Sequence, residues 1–134
     1  MLHDKRVFDA AAQSGSDFGD LPEWDLSDLY ACETAPELTR DLEWLNSACF
    51  NFANDFEGNL ALLNSTEMLD AVHRYEQIDL ITGRIMSFAG LRYYQLTIDP
   101  NRAKFMSDMQ DKITASTTPL VFFSLEFNRL DEAN

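Results

Sequence analysis

The chain offers few side chains that can act together in catalysis or metal binding. Its two histidines, His3 and His73, are far apart in the sequence. A zinc site of the H-E-x-x-H type requires two histidines one helical turn apart, a glutamate between them and a third ligand. His73 and Glu76 are spaced to share one helix face, but two ligands do not make a zinc site. We therefore interpret His73 as a structural residue.

Motifs for other chemistries are also missing from the sequence. If Gly58 were the invariant glycine of a calcium-binding EF-hand loop, Ala53 and Asn64 would stand where carboxylates belong. There is no phosphate-binding G-x-x-x-x-G-K-[ST] or G-x-G-x-x-G loop, and no G-x-S-x-G nucleophile motif. Neither Cys32 nor Cys49 has a basic cluster near it in the sequence that would lower its thiol pKa. We predict no catalytic, cofactor-binding or metal-binding residue in this chain.

Composition narrows the classes of partner and compartment. The 134 residues suffice for one domain, and 23 acidic against 10 basic residues give a net charge of −13. Such a field repels nucleic acids and anionic membranes, whereas it attracts basic peptides or simply maintains solubility. A secretory signal and a run of about 18 apolar residues are both lacking, and two cysteines do not suggest a disulfide framework. We therefore expect a cytoplasmic location.

The first predicted helix, at about residues 35–57, has the clearest pattern. Thr34, with Pro36 and Glu37 after it, matches a capping box with proline in the first turn. Gly58 is expected to end the helix because glycine enters the left-handed conformation at little cost. The apolar stripe that should face the core consists of Leu38, Leu42, Leu45, Cys49, Phe52 and Phe56.

Two further helices are predicted, at about residues 65–97 and 100–131. The first of them has Ser65 as its expected cap, and its apolar side is broad, with polar insertions. That side comprises Leu69, Val72, Glu76, Ile78, Ile81, Ile85, Phe88, Arg92 and Leu96. The last helix follows Asp99 as its cap and should be kinked near Pro119, which removes a backbone donor. Its stripe is expected to continue in phase across the proline, through Phe105, Met109, Ile113, Ser116, Leu120, Phe123, Phe127 and Leu130.

Together these patterns predict an all-α fold, an antiparallel bundle of three long helices joined by short loops. Residues 1–20 are interpreted as a flexible lead, and residues 21–134 as the helical domain. The domain begins with an extended arm whose large apolar residues, Trp24 among them, should lie against apolar surface. Each such side chain contributes roughly 1.5–3 kcal/mol when buried. The stretch from Val121 to Phe127 is apolar on most sides, which is typical of a helix with neighbours on several sides.

Three segments of the chain resemble one family. Residues 21–30 (LPEWDLSDLY) look like the P-x-W-D-L-S-D-L-Y segment at the start of oligoendopeptidase F and related zinc peptidases of the thimet oligopeptidase superfamily. Residues 91–100 (LRYYQLTIDP) are similar to that family's junction between its second and third helices. Residues 122–130 (FFSLEFNRL) resemble the segment that follows. The three occur in the family's order and cover about residues 20–134.

The resemblance implies a longer zinc metallopeptidase, of which this chain would be the N-terminal helical domain. In that family the H-E-x-x-H helix and its downstream glutamate lie in a C-terminal catalytic domain, so no family zinc ligand or catalytic residue maps onto this chain. The N-terminal domain forms part of the wall of a channel that admits short peptides. The expected partners are therefore the missing catalytic domain, an oligopeptide substrate of the full enzyme, and a possible homodimer of the fragment. The alternative is a stand-alone helical adaptor that binds a partner through its apolar faces.

Overall fold

The computed structural model describes residues 22–132, with side chains through Leu130. Residues 1–21, which include the predicted lead, and the last two residues lie outside the described part. Four α-helices and two 3-10 turns follow the arm. They are α1 (Pro36–Phe56), a turn at Leu60–Leu62, α2 (Ser65–Gln95), α3 (Pro100–Thr117), a turn at Thr118–Leu120, and α4 (Val121–Glu132).

The helices form an antiparallel bundle, as the sequence predicted. Near the start of α1, Asp41 Oδ2 lies 3.5 Å from Nη1 of Arg84 in the second half of α2. At the end of α1, Asp55 Oδ2 lies 2.8 Å from Nη1 of Arg74 in the first half of α2. The chain then turns back, so that α3 runs antiparallel to α2. Helices α3 and α4 together make the bent third helix. Within residues 22–132 no helix is both long and apolar enough to cross a membrane.

The buried faces agree with the predicted stripe on α1 and differ from it on α2. All predicted α1 positions are buried except Leu42, which is partly buried. On α2, however, Leu69 and Leu96 are 56% and 42% exposed. The core side of α2 is formed by Ala71, Ile78, Ile85, Phe88 and Ala89. Leu69 stands two residues before Ala71, and two steps of about 100° place it nearly opposite the core.

The start of α1 differs from the prediction, whereas its end agrees with it. The N-cap is Ala35, which makes no side-chain capping bond, so the capping box predicted at Thr34 is wrong. Because the helix begins one residue later than predicted, the Thr34 hydroxyl stands too far back to reach its free N–H groups, and it lies 3.4 Å from Cys32 Sγ instead. At the other end, Gly58 has φ +78° just after the helix, and its predicted role is confirmed.

The starts of α2 and α3 are capped by side chains. Asn64, rather than the predicted Ser65, caps α2. Its Oδ1 accepts from the Glu67 N–H at 3.0 Å, and the Glu67 carboxylate accepts from the Asn64 N–H at 2.9 Å, which completes a capping box. Asp99 caps α3 as predicted, because its Oδ1 accepts from the Asn101 N–H at 2.9 Å.

Pro119 bends the third helix, as predicted, but the apolar stripe does not keep its phase. The bend is a 3-10 turn at Thr118–Leu120. A 3-10 turn has three residues per turn, so each residue advances further around the axis than in an α-helix. After the bend, Phe122 is 8% exposed and faces the core, whereas Phe127 is 40% exposed. Phe123 is only partly buried.

Candidate functional site

The arm, defined here as residues 22–35, is anchored to the bundle by one buried tyrosine. The Leu29 and Tyr30 N–H groups both donate to the Leu26 carbonyl, which makes a single turn in the arm. This turn directs Tyr30 inward, where it is 2% exposed and its ring meets Phe88 edge-on at 5.3 Å between centroids. The Tyr30 hydroxyl donates to the Asp41 carboxylate on α1. The arm therefore contributes to the core.

Arg84 of α2 reinforces this anchor. Its guanidinium lies 4.5 Å from the centroid of the Tyr30 ring, donates to the Leu29 carbonyl and lies 3.5 Å from Asp41 Oδ2. Burial raises the pKa of the Tyr30 phenol, and the hydrogen bond to the Asp41 carboxylate raises it further. Tyr30 thus stays a neutral donor at physiological pH, which suits a structural role and not acid–base catalysis.

Side-chain contacts from α2 also hold the arm near both of its ends. Gln95 Nε2 donates to the Trp24 carbonyl at 2.7 Å, and Arg92 Nη2 lies 3.3 Å from Glu33 Oε1. Arg102 of α3 donates to the Arg92 carbonyl at 3.0 Å, which joins the end of α2 to α3. These contacts join residues far apart in the sequence, and no local pattern signals them.

A polar cleft of about 230 Å³ lies between the arm and the ends of α2 and α3. Its polar lining includes Ser27, Cys32, Arg92, Gln95 and Arg102. Both guanidinium groups are already engaged by carboxylates, Arg92 by Glu33 and Arg102 by Asp99 at 3.6 Å. The cleft is smaller than the roughly 300–1,000 Å³ of typical ligand pockets. Its arrangement favours a structural junction over a substrate pocket.

The two cysteines differ strongly in environment. Cys32 is exposed, and hydrogen bonding with Thr34 lowers its pKa, with a smaller contribution from Arg92. Arg92 approaches Cys32 only in the folded chain, so this cation could not be predicted from the sequence. Cys49 is buried, as predicted, and burial raises its pKa to about 11.

In the native protein we expect the exposed Cys32 thiol to react with a thiol reagent at neutral pH. The buried Cys49 thiol should react only after unfolding. The thiolate is the reactive form, so the Cys49 rate should be at least about 100-fold below that of Cys32, from the pKa difference and from burial. The rate at Cys32 should rise with pH and level off once the pH passes its lowered pKa. Stopped-flow absorbance with a disulfide reagent measures both rates. The Cys32→Ser variant should lack the fast reaction, and a fast reaction in that variant would contradict the assignment.

The side chains considered for metal binding remain apart or exposed. His73 Nδ1 lies 3.4 Å from Glu76 Oε2, so the two share a helix face, and both side chains are 65% exposed. Among the described residues, no three histidine, cysteine or carboxylate side chains come close enough to hold a metal ion. The pair thus forms a surface contact of α2.

A second groove, of about 370 Å³, lies where α2 meets the bend of the third helix. Thr82 of α2 lines it, and the Thr82 hydroxyl is the one buried side-chain polar atom in the described part of the chain without a hydrogen-bond partner. The remaining lining comes from both elements and includes Tyr75, Ile78, Thr117, Leu120 and Val121. The groove is mixed in polarity and carries no cluster of catalytic side chains.

Large apolar side chains are exposed around much of the molecule. They include Trp24 of the arm, Leu80 and Tyr94 of α2, and Val121, Leu125 and Phe127 of α4. No protein-family model, curated protein or solved structure matches this chain. Contiguous apolar patches mark surfaces that contact another protein or domain, whereas single exposed apolar side chains are common on any protein.

Proposed function

We propose that residues 21–134 are the non-catalytic N-terminal domain of a cytoplasmic zinc-dependent oligoendopeptidase. In that enzyme the domain would help to wall the channel that confines short peptide substrates. The proposal begins from the resemblance of three ordered segments to the oligoendopeptidase F family. Its main structural support is the arm. Residues 22–30 of the first segment pack as an ordered element on α1 and α2 through Tyr30, Arg84 and Gln95.

The exposed side of the third helix also supports the proposal. Val121 and Leu125, which are four residues apart and so share one side of α4, are 61% and 56% exposed. A further domain packed on α4 would bury these side chains, and each fully buried apolar side chain contributes roughly 1.5–3 kcal/mol. The residues of α4 that face the bundle, such as Phe122, are already used in the core. The outer side is therefore free for a neighbour.

Catalysis in the proposed enzyme would belong to a separate domain. There, a zinc ion would activate water, and the glutamate of the H-E-x-x-H motif would act as general base. The residues described here would supply no ligand and no catalytic group. Their role would be to shape the space in which a peptide is held.

The decisive experiment compares the full-length protein with residues 1–134. The reading frame should continue past Asn134 to an H-E-x-x-H motif. The full-length product should cleave an internally quenched oligopeptide and lose that activity with a chelator, whereas residues 1–134 should show neither property. Zinc-dependent cleavage by residues 1–134 alone, or a stop codon directly after Asn134, would overturn the proposal.

The second candidate is a stand-alone helical adaptor. The observation that favours it is a core shared by the arm and all four helices within residues 22–132. An adaptor predicts a stop codon directly after Asn134 and a monodisperse complex with one specific partner. The homodimer expected from the sequence also remains a prediction, which light scattering at tens of micromolar protein can test.

A further inference from the structure

One apolar surface combines residues of the arm and the end of α2. We call it the Trp24 shelf, and it consists of Trp24, Leu26 and Leu29 from the arm with Leu91 and Tyr94 from α2. The Trp24 and Tyr94 side chains are 63% and 66% exposed. Leu26 and Leu29 are half-buried against the core. Large apolar groups that cluster on a surface are typical of an interaction site, whereas single exposed apolar side chains are common on any protein.

The Trp24 side chain stands between two shallow clefts. One, of about 460 Å³, is lined by Trp24, Asp25, Leu26, Leu29 and Leu91. The other, of about 350 Å³, is lined by Pro22, Glu23, Trp24, Tyr94 and Gln95. Both are open depressions at the surface, lined mainly by residues of the arm together with Leu91, Tyr94 and Gln95 of α2. Trp24, whose side chain is 63% exposed, therefore lines both depressions of the shelf.

The shelf is held in place before any partner arrives. The Trp24 carbonyl accepts from Gln95 Nε2 at 2.7 Å, and the Leu29 carbonyl accepts from Arg84. Tyr30, the next residue after Leu29, is buried in the core. A surface ordered in advance loses little conformational entropy on binding, which favours affinity.

The rim of the shelf is negatively charged. Glu23, Asp25 and Asp28 are all exposed, and none lies within ion-pair distance of a cation in the described residues. The nearby cations are already neutralised, because Arg84 pairs with Asp41 and Arg92 pairs with Glu33. The Asp25 carboxylate accepts a hydrogen bond from the Ser27 N–H at 2.9 Å, which fixes its orientation.

We propose that the Trp24 shelf docks a cationic amphipathic segment of a partner protein. Apolar side chains of that segment would fill the two clefts, and its lysines or arginines would pair with Glu23, Asp25 and Asp28. One cation would lie over the exposed face of Trp24, where the ring attracts positive charge. A second copy of this chain fits poorly, because two molecules of net charge −13 repel each other. This inference goes beyond the proposed peptidase role and stands independently of it.

The test uses the whole chain and a defined peptide probe. The probe is LKKLLKLLKKLLKL, which places leucines on one helix face and lysines on the other, and the comparison peptide carries glutamate in place of every lysine. In a Trp44→Phe background, Trp24 is the only tryptophan and reports binding by its fluorescence. The lysine peptide should bind saturably with a blue shift of the emission. The glutamate peptide should not bind.

Matched variants separate the shelf from the general negative field. In titrations followed by calorimetry, Trp24→Ala should weaken binding about tenfold or more, whereas Trp44→Ala, at an exposed tryptophan on α1, should change it by less than about twofold. The triple variant Glu23→Gln, Asp25→Asn, Asp28→Asn should weaken binding about tenfold and reduce its salt dependence. Removing three exposed carboxylates elsewhere, with Glu43→Gln, Glu57→Gln and Asp111→Asn, should have little effect.

Several outcomes would overturn the proposal. Equal losses in the two triple variants would show that only net charge attracts the peptide. Light scattering that finds a dimer abolished by Trp24→Ala would assign the shelf to a second copy. Peptide binding that emerges only when Lys5 and Arg6 are replaced by glutamate would assign it to the first residues of this same chain.

Discussion

Replacing Phe52 with alanine should lower the free energy of unfolding by about 3–5 kcal/mol. The Phe52 side chain is fully buried, and its ring centroid lies 4.9–5.9 Å from the centroids of four other aromatic rings. These rings belong to Phe56 on α1, Tyr75 on α2, and Phe122 and Phe123 on α4. Truncation would remove contacts to three helices at once and leave a cavity that the surrounding rings cannot fill.

Urea denaturation followed by circular dichroism measures this loss, with Phe50→Ala as the matched control. Phe50 is on the same helix but 61% exposed, so its truncation should change the free energy of unfolding by no more than about 0.5 kcal/mol. Should Phe52→Ala leave too little native protein to measure, Phe52→Leu should show a smaller loss in the same direction. Equal losses at positions 50 and 52 would contradict the packing described for α1.

Replacing Tyr30 with alanine should cost about 3 kcal/mol or more and release the arm from the bundle. The ring is 2% exposed, meets Phe88 and lies under the Arg84 guanidinium. Tyr30→Phe keeps these ring contacts and loses the hydrogen bond to Asp41, so it should cost only about 1 kcal/mol. Tyr94→Ala, at a tyrosine that is 66% exposed, is the matched control and should be nearly neutral.

Hydrogen exchange of the arm amides, together with urea denaturation, separates these variants. Fast exchange of residues 22–35 in Tyr30→Ala, with slow exchange kept in α1 to α3, would identify Tyr30 as the anchor. Unchanged exchange in the arm would refute this role. The raised pKa of Tyr30 adds a pH dependence. Its contribution should be complete below the ordinary tyrosine pKa of about 10 and decline above it, and Tyr30→Phe should lack that decline.

Local patterns were sufficient to predict the helices of this protein. Each correct prediction depended on residues within about one helical turn of each other, so a short stretch of sequence is enough to recognise it. These predictions were the α1 stripe, the left-handed Gly58, the Asp99 cap and the bend at Pro119. The predicted cap positions were less accurate. Asn64 caps α2 in place of Ser65, because neighbouring polar residues compete for the same free N–H groups and periodicity does not choose between them. The N-cap residue of α1 is Ala35, which makes no side-chain capping bond.

Periodicity was least reliable where two elements meet. The apolar side predicted for α2 included Leu69 and Leu96, both of which are exposed, since the arm and the other helices cover only part of that helix. The phase of the third helix was lost at the bend, because the 3-10 turn at Thr118–Leu120 rotates the residues that follow it. In both cases the error lies in which side faces inward, not in where the helix is.

From the amino-acid sequence alone it was possible to infer the all-α class and the approximate positions of the helices. The surfaces offered to partners could not be inferred, because exposure depends on contacts between distant residues. Trp24 was expected to be buried and is exposed, whereas Tyr30 of the same arm reaches the core through Arg84 and Asp41. A helix follows from bonds between residues three or four apart, but an open face follows from what the rest of the chain leaves uncovered.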